Sequence, residues 1–301
     1  MFSGVELRRD LGLLNGAIDM HLHAGPSLFP RLMDSLEVAK SSRKAGLRGI
    51  LVKNHHMPTV ERAYFTMKAV RGIDFYGGVT LNYGVGGLNP FAVDATLKMG
   101  GKMVWMPSVD AKNHKKHFGE LGRYGGKLGY EKPGFYTGAE GITVLDEDGN
   151  LFPEVGHIID LIKDHNAALS TSHLSVLESM TLVEEARKQS IPVVVTHVSF
   201  VTANLSCEDQ KRMANKGAFL ELCYSSLSPA WRNITIDEVV KNVKSVGPEN
   251  YILASDLGQV HNPEPSEGLR IYITLLLERG LETEDLRVMV KENPDRVLGI
   301  D

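Results

Sequence analysis

Eight short apolar runs, separated by longer and mostly amphipathic stretches, constrain the fold of this chain more than any single residue does. The runs are Ala17 to His23, Gly49 to Lys53, Phe75 to Leu81, Lys102 to Met106, Ala167 to Thr171, Pro192 to Thr196, Ala218 to Cys223 and Tyr251 to Ala254. Runs of this length that are apolar almost throughout read as strands buried on both faces, and such strands belong to parallel sheets covered by helices. Ser175-Val176-Leu177-Glu178 and Thr235-Ile236-Asp237-Glu238 place a hydroxyl three residues before a glutamate. That spacing lets each cap a backbone N–H of the other residue, and it marks helix starts after the fifth and seventh runs. Eight strand-helix units favour closure into one (β/α)8 barrel, an α/β TIM barrel spanning residues 1–301 as a single domain. An open doubly wound sheet is the second architecture. No Gly-x-Gly-x-x-Gly turn follows the first run, so its dinucleotide-binding form has no support.

One stretch breaks the rhythm. Residues 107–140 carry Lys112, His114, Lys115, Lys116, His117, Arg123, Lys127 and Lys132 among many glycines. The expectation is a long loop, either a lid whose cations attract an anionic substrate or a solvated insertion. Ile142 to Leu145 and Asn150 to Phe152 flank Asp146-Glu147-Asp148-Gly149, which reads as a small hairpin.

Charge narrows the classes of partner. With 33 basic against 37 acidic residues the net charge is −4, which argues against nucleic acid or anionic membrane and for a small-molecule substrate. The start offers no apolar run fit for a signal peptide and no stretch approaches the ~20 residues of a membrane span, so a cytoplasmic location is expected. Cys207 and Cys223 are the only cysteines, outside any Cys-x-x-Cys spacing. A metal would therefore be held by histidine and carboxylate.

Histidine is scarce, 11 of 301 residues, yet it gathers at the strand ends. The first run ends in His21 and His23, the second in Lys53 with His55 and His56 just beyond, the fifth leads to His173, the sixth to His197, and the eighth to Ser255-Asp256. Barrel chemistry sits at the C-terminal ends of the strands. His21 and His23, two apart on a strand, point to one face and can share one ion. Neutral imidazole with carboxylate suits Zn2+ first, then Mn2+ or Fe2+. Such an ion lowers the pKa of water towards ~7 and polarises the bond to be cleaved.

This arrangement resembles the amidohydrolase superfamily. The residues that carry the resemblance are His21 and His23, His173 in Ser170-Thr171-Ser172-His173-Leu174, His197 in Val195-Thr196-His197, and Asp256 in Ala254-Ser255-Asp256, with Asn293 to Gly299 similar to the terminal helix of many members. The resemblance implies that His21, His23 and Asp256 hold one metal, that His173 and His197 hold a second or contact metal or substrate, and that Asp256 moves the proton as general base and then general acid. The bland alternative for Asp256 is a helix N-cap.

The chain departs from the pattern at the fourth strand, where two-metal members supply a bridging carboxylated lysine or a glutamate and this chain has Met103-Val104-Trp105-Met106-Pro107-Ser108. Lys53 and His55, on one face of the second strand, are the nearest substitutes, and Glu221 is a more distant one. Either one or two ions is therefore expected. Lys53 is open between bridge, binder of a substrate carboxylate and structural cation. Lys53, His56, Asn82, Glu221 and His261 are the candidate substrate contacts, with turn structure the alternative for Asn82.

The expected activity is hydrolysis of an amide, cyclic amide, lactone or other ester bond in a small molecule, carried out by a homo-oligomer because such barrels often associate. The alternatives are a metal-dependent decarboxylase or other lyase, a phosphoesterase of the polymerase-and-histidinol-phosphatase type, and a metal-containing binding protein without turnover.

Overall fold

The computed structural model describes residues 8–125 and 138–300, so Lys127 and Lys132 lie outside the described residues. The apolar runs form parallel strands: β1 (Ile18–His23), β2 (Gly49–Lys53), β3 (Asp74–Tyr76), β4 (Gly78–Thr80), β5 (Met103–Trp105), β6 (Ala168–Ser170), β7 (Val193–Val195), β8 (Phe219–Cys223) and β9 (Tyr251–Ala254). Their order is β1-β2-β3 in one sheet and β4 to β9 in the other. The third run is thus one strand position split at Gly77. A side chain at Gly77 would strike the Thr59 backbone. Thr59 fills the gap by donating its N–H to the Gly78 carbonyl and accepting the Gly78 N–H on its hydroxyl, each at 2.9 Å.

The eight positions make the expected (β/α)8 barrel, with its ladder interrupted at two seams. One seam is Gly77. The other lies between β9 and β1, which are joined past the strand end by the parallel bridge Leu22–Leu257. There the His23 N–H donates to the Leu257 carbonyl and the Asp256 N–H to the His21 carbonyl, both at 2.7 Å.

Helices follow the strands: α1 (Arg9–Leu14) precedes them, then α2 (Ser35–Ala45), α3 (Val60–Ala69), α4 (Pro90–Lys98), α5 (Lys112–Phe118), α6 (Pro153–Asp164), α7 (Val176–Lys188), α8 (Cys207–Asn215), α9 (Ile236–Val246), α10 (Pro265–Glu278), α11 (Thr283–Arg287) and α12 (Asn293–Leu298). The capping boxes at Ser175/Glu178 and Thr235/Glu238 are present, and Asp34/Glu37 makes a third at α2. Residues 142–152 form the hairpin, closed by the Leu145–Leu151 bridge. The described part of 107–140 is not the structureless loop expected of it. α5 packs inward with Asn113 and His114 buried, and Lys112 and Asp110 bond to Ile142.

Most of the apolar core lies between strands and helices, while a second cluster fills the barrel: Ile18, Met20, Leu51, Met103, Trp105 and Val194 are among its members. Met103 and Trp105 are therefore interior packing, which is why the β5 end offers no metal ligand. Above this apolar layer the interior side chains turn polar, beginning with a bulge in β1. Asp19 pairs with Ile50 and Leu22 with Val52, so Met20 and His21 together oppose Leu51. Two consecutive residues face the interior there, one closing the apolar layer and one opening the polar layer. Asp19 Oδ1 accepts the His21 N–H at 3.2 Å, supporting the bulge.

Candidate functional site

Three ligand atoms converge where β1 meets β9. His23 Nε2 lies 3.1 Å from Asp256 Oδ1, and His21 Nε2 lies 3.3 Å from the same oxygen. The orientation of each ring follows from its other nitrogen. His23 Nδ1 lies 3.1 Å from the Lys53 carbonyl and His21 Nδ1 3.0 Å from Glu221 Oε2, and both partners only accept, so each Nδ1–H donates. Both Nε2 atoms therefore face the Asp256 carboxylate, and His21 Nε2, though buried, makes no hydrogen bond. Burial pushes the His23 imidazole down to about 3, so its Nε2 presents a lone pair to a carboxylate oxygen. A cation between them resolves that contact. These three residues could hold a metal ion, as could His21, Glu221 and Cys223 on the deeper side.

Asp256 is fixed and ionised. Burial alone would raise its carboxyl, but its imidazole neighbours, His21 above all, outweigh that and hold it well below the usual carboxylate range. Ser225 donates its hydroxyl to Oδ2 at 2.8 Å. Asp256 and His197 both adopt left-handed backbone, φ 49° and 30°, uncommon for residues with side chains and found where the surroundings dictate a functional geometry. Gly258 makes the crossing possible, since a Cβ there would strike the His23 carbonyl.

His173 and His197 join the same cavity, their ring centroids 5.0 Å apart, with His197 6.1 Å from His21. The tautomer of His173 is set by His114, one of the basic residues counted in the 107–140 stretch. His114 Nε2 donates to the Arg123 carbonyl at 2.8 Å, so its Nδ1 accepts from His173 Nδ1 at 2.8 Å. His173 then presents Nε2 as a lone pair to the cavity, and burial and the neighbouring imidazoles hold it well below its ordinary value. His197 is pushed down to about 4 by burial, and its Nδ1 has no hydrogen-bond partner.

His55 Nδ1 lies 3.0 Å from Ser108 Oγ, which also accepts from Asn82 Nδ2 at 2.8 Å, so Nε2 is the nitrogen that His55 turns to the cavity. Asn82 is corrected. Its amide is committed to the His55 carbonyl, Ser108 and the Ser108 and Asp110 N–H groups, leaving nothing for a substrate. Glu221 likewise lies behind His21 and accepts the His197 N–H at 3.1 Å, so it orients ligands instead of meeting substrate. His56 packs against Phe29 outside the cavity lining, whereas Lys53 and His261 line it.

The cavity is small, about 50 Å3, room for a few waters. Its outer wall is aromatic: Phe29, Tyr124, Phe200 and Trp231, of which Tyr124, Phe200 and Trp231 contact one another at 5.1–6.4 Å between centroids. No periodicity announced these residues, nor Arg31, because they arrive on connections between strands and helices.

Among the described residues no helix is long and apolar enough to cross a membrane. The fold is that of amidohydrolase-type enzymes. It is similar to a protein described as the probable dipeptidase PvdM from Pseudomonas aeruginosa, with a TM-score of 0.65 and 13% identity over 99% of this chain and 98% of that one. It is also similar to one described as a probable 2-pyrone-4,6-dicarboxylic acid hydrolase from Acinetobacter baumannii (TM-score 0.60, 12% identity, 95% and 100% covered). A third is a 2,6-dihydroxybenzoate decarboxylase (TM-score 0.55, 10% identity, 95% and 100% covered). No curated protein matches the chain in sequence. The model of a family described only as one of unknown function matches residues 16–221.

Proposed function

The chain belongs to that family, DUF6282, and on that premise we propose that it is a metal-dependent hydrolase acting on an amide, cyclic amide, lactone or other ester bond of a small molecule. The observation that carries the reading is the meeting of His21 Nε2, His23 Nε2 and Asp256 Oδ1, with both Nδ1–H groups committed elsewhere. Imidazole and carboxylate donors of this kind fit Zn2+ best.

His21, His23 and Asp256 would hold the ion, with His173 and His197 beside it. When bound, the ion makes water acidic enough to lose a proton near neutral pH and polarises the bond under attack. Asp256 would serve as the proton carrier between the attacking water and the leaving group, and the Ser225 hydroxyl keeps its second oxygen in place. Glu221 fixes His21 as the Lys53 carbonyl fixes His23, the outer-shell support usual for ligating histidines. His55 lines the same cavity, where its Nε2 would meet a developing oxyanion as a donor or the ion as a further ligand.

Decarboxylation is the second reading, favoured by the absence of a carboxylate or lysine on the β5 end, where Met103 and Trp105 are interior packing. The two are separated by following product. Hydrolysis incorporates oxygen from labelled water, and decarboxylation releases carbon dioxide without doing so.

The test combines metal analysis of the purified protein with turnover of a panel of esters, lactones and cyclic amides. One or two ions per chain and a loss of about 10^2–10^4 in kcat for Asp256→Asn are expected. A protein without metal, or unchanged turnover in Asp256→Asn, would remove the reading.

A further inference from the structure

Two cations line the cavity without a protein anion bound to either. Lys53 is 1% exposed, with its Nζ 5.7 Å from the centre of the Trp105 ring. Arg31 lies over the Phe29 ring at 5.5 Å with its Nε buried and lacking a hydrogen-bond partner. Among the described residues neither the Lys53 ammonium nor the Arg31 guanidinium makes an ion pair or a side-chain hydrogen bond. Lys53 is buried without an acceptor, an expensive arrangement that a ligand anion would relieve, and the half-buried Arg31 has its terminal nitrogens free to meet the same ligand. Arg48, Arg270 and Arg287, by contrast, each hold a carboxylate.

The backbone holds Arg31 at the mouth. Arg31 bridges Gln259, and the Leu32 N–H donates to the Gly258 carbonyl at 2.9 Å, so the connection after β1 is laced to the one after β9 just beyond Asp256. The guanidinium thus stands at a fixed place beside the aromatic wall, with Lys53 deeper on β2.

The geometry points to a substrate that is a small flat ring bearing a carboxylate, its anion received by the Arg31 guanidinium and its ring face held by Phe29, Tyr124 and Trp231. This rests on the hydrolase reading of the same cavity and names the class of molecule it takes. A planar guanidinium matches a carboxylate through two parallel N–H bonds. The flat aromatic walls favour a planar ring over an extended chain.

Calorimetric titration with benzoate, benzamide and inorganic phosphate, on metal-free and zinc-loaded protein, tests the assignment. Benzoate should bind saturably to both forms and at least about tenfold tighter than benzamide or phosphate. Arg31→Gln should weaken benzoate about tenfold or more while leaving benzamide binding, zinc stoichiometry and Tm as they were. Arg31→Lys, which keeps the charge and loses the fork, should fall between. Equal binding of benzoate and benzamide, tighter binding of phosphate, absence of saturable benzoate binding, or indifference to both Arg31 variants would each overturn the proposal. Benzoate binding that persists in a protein unable to take up zinc would sink the hydrolase reading and leave the carboxylate site standing.

Discussion

The floor and the wall of the cavity are built on opposite principles. On the floor His21, His23 and Asp256 hang from or just beyond β1 and β9, and each has a hydrogen bond that settles its orientation: Glu221 for His21, the Lys53 carbonyl for His23, Ser225 for Asp256. On the wall, Arg31, Phe29, Tyr124 and Trp231 come from connections, meet mainly through ring faces, and include a guanidinium with no acceptor. The floor is settled before any ligand arrives, as bond-making chemistry demands, and the wall is left to be completed by what binds.

Variants that break this contrast should have unequal effects. Glu221→Gln keeps an acceptor for His21 and removes the charge behind it. It should lower zinc affinity by about 10–100-fold in a chelator competition, with Tm little changed. Unchanged affinity would mean that the floor needs no carboxylate support. His114 joins the two regions, with one nitrogen on His173 and the other on the Arg123 carbonyl beside Tyr124. His114→Leu leaves the His173 N–H without its acceptor and should lower kcat by about tenfold and stability by ~1–3 kcal/mol, read by steady-state kinetics and thermal melts. A fall in stability with kcat intact would reduce His114 to a packing residue. Trp231→Ala should act on the wall alone, raising KM about three- to tenfold at nearly constant kcat, as expected when a binding contact common to ground and transition state is lost. A matching fall in kcat would show that wall and floor are not separable.

The floor was legible in the sequence because strand periodicity ties residue number to facing. His21 and His23 had to share a face, and strand ends had to gather at one mouth. Reading the eight apolar runs gave every strand position, although the break at Gly77 needs the contact with Thr59 to be seen. The bulge at Met20 and His21 was not legible, since only pairing with β2 exposes it. Glu221 and Asn82 were misassigned for a related reason. Spacing places a residue near a mouth but cannot say whether its hydrogen-bonding capacity is already taken by neighbours 200 or 26 positions away. His114 was visible only as one basic residue of the 107–140 stretch, and Tyr124 and Arg31 escaped altogether because their connections follow no period.

The seam between β9 and β1 acquires a meaning from what lies above it. The strand order begins at β1 and ends at β9, and there the sheet lacks a ladder and relies on a few backbone bonds near Leu22 and Leu257. His23 and Asp256, 233 positions apart, face each other directly over that gap. A cation gripped by both would act as a cross-link, closing nearly the whole polypeptide into a loop whose opening must first release the ion. Resistance to unravelling from either end would then rise and fall with occupancy of the catalytic centre.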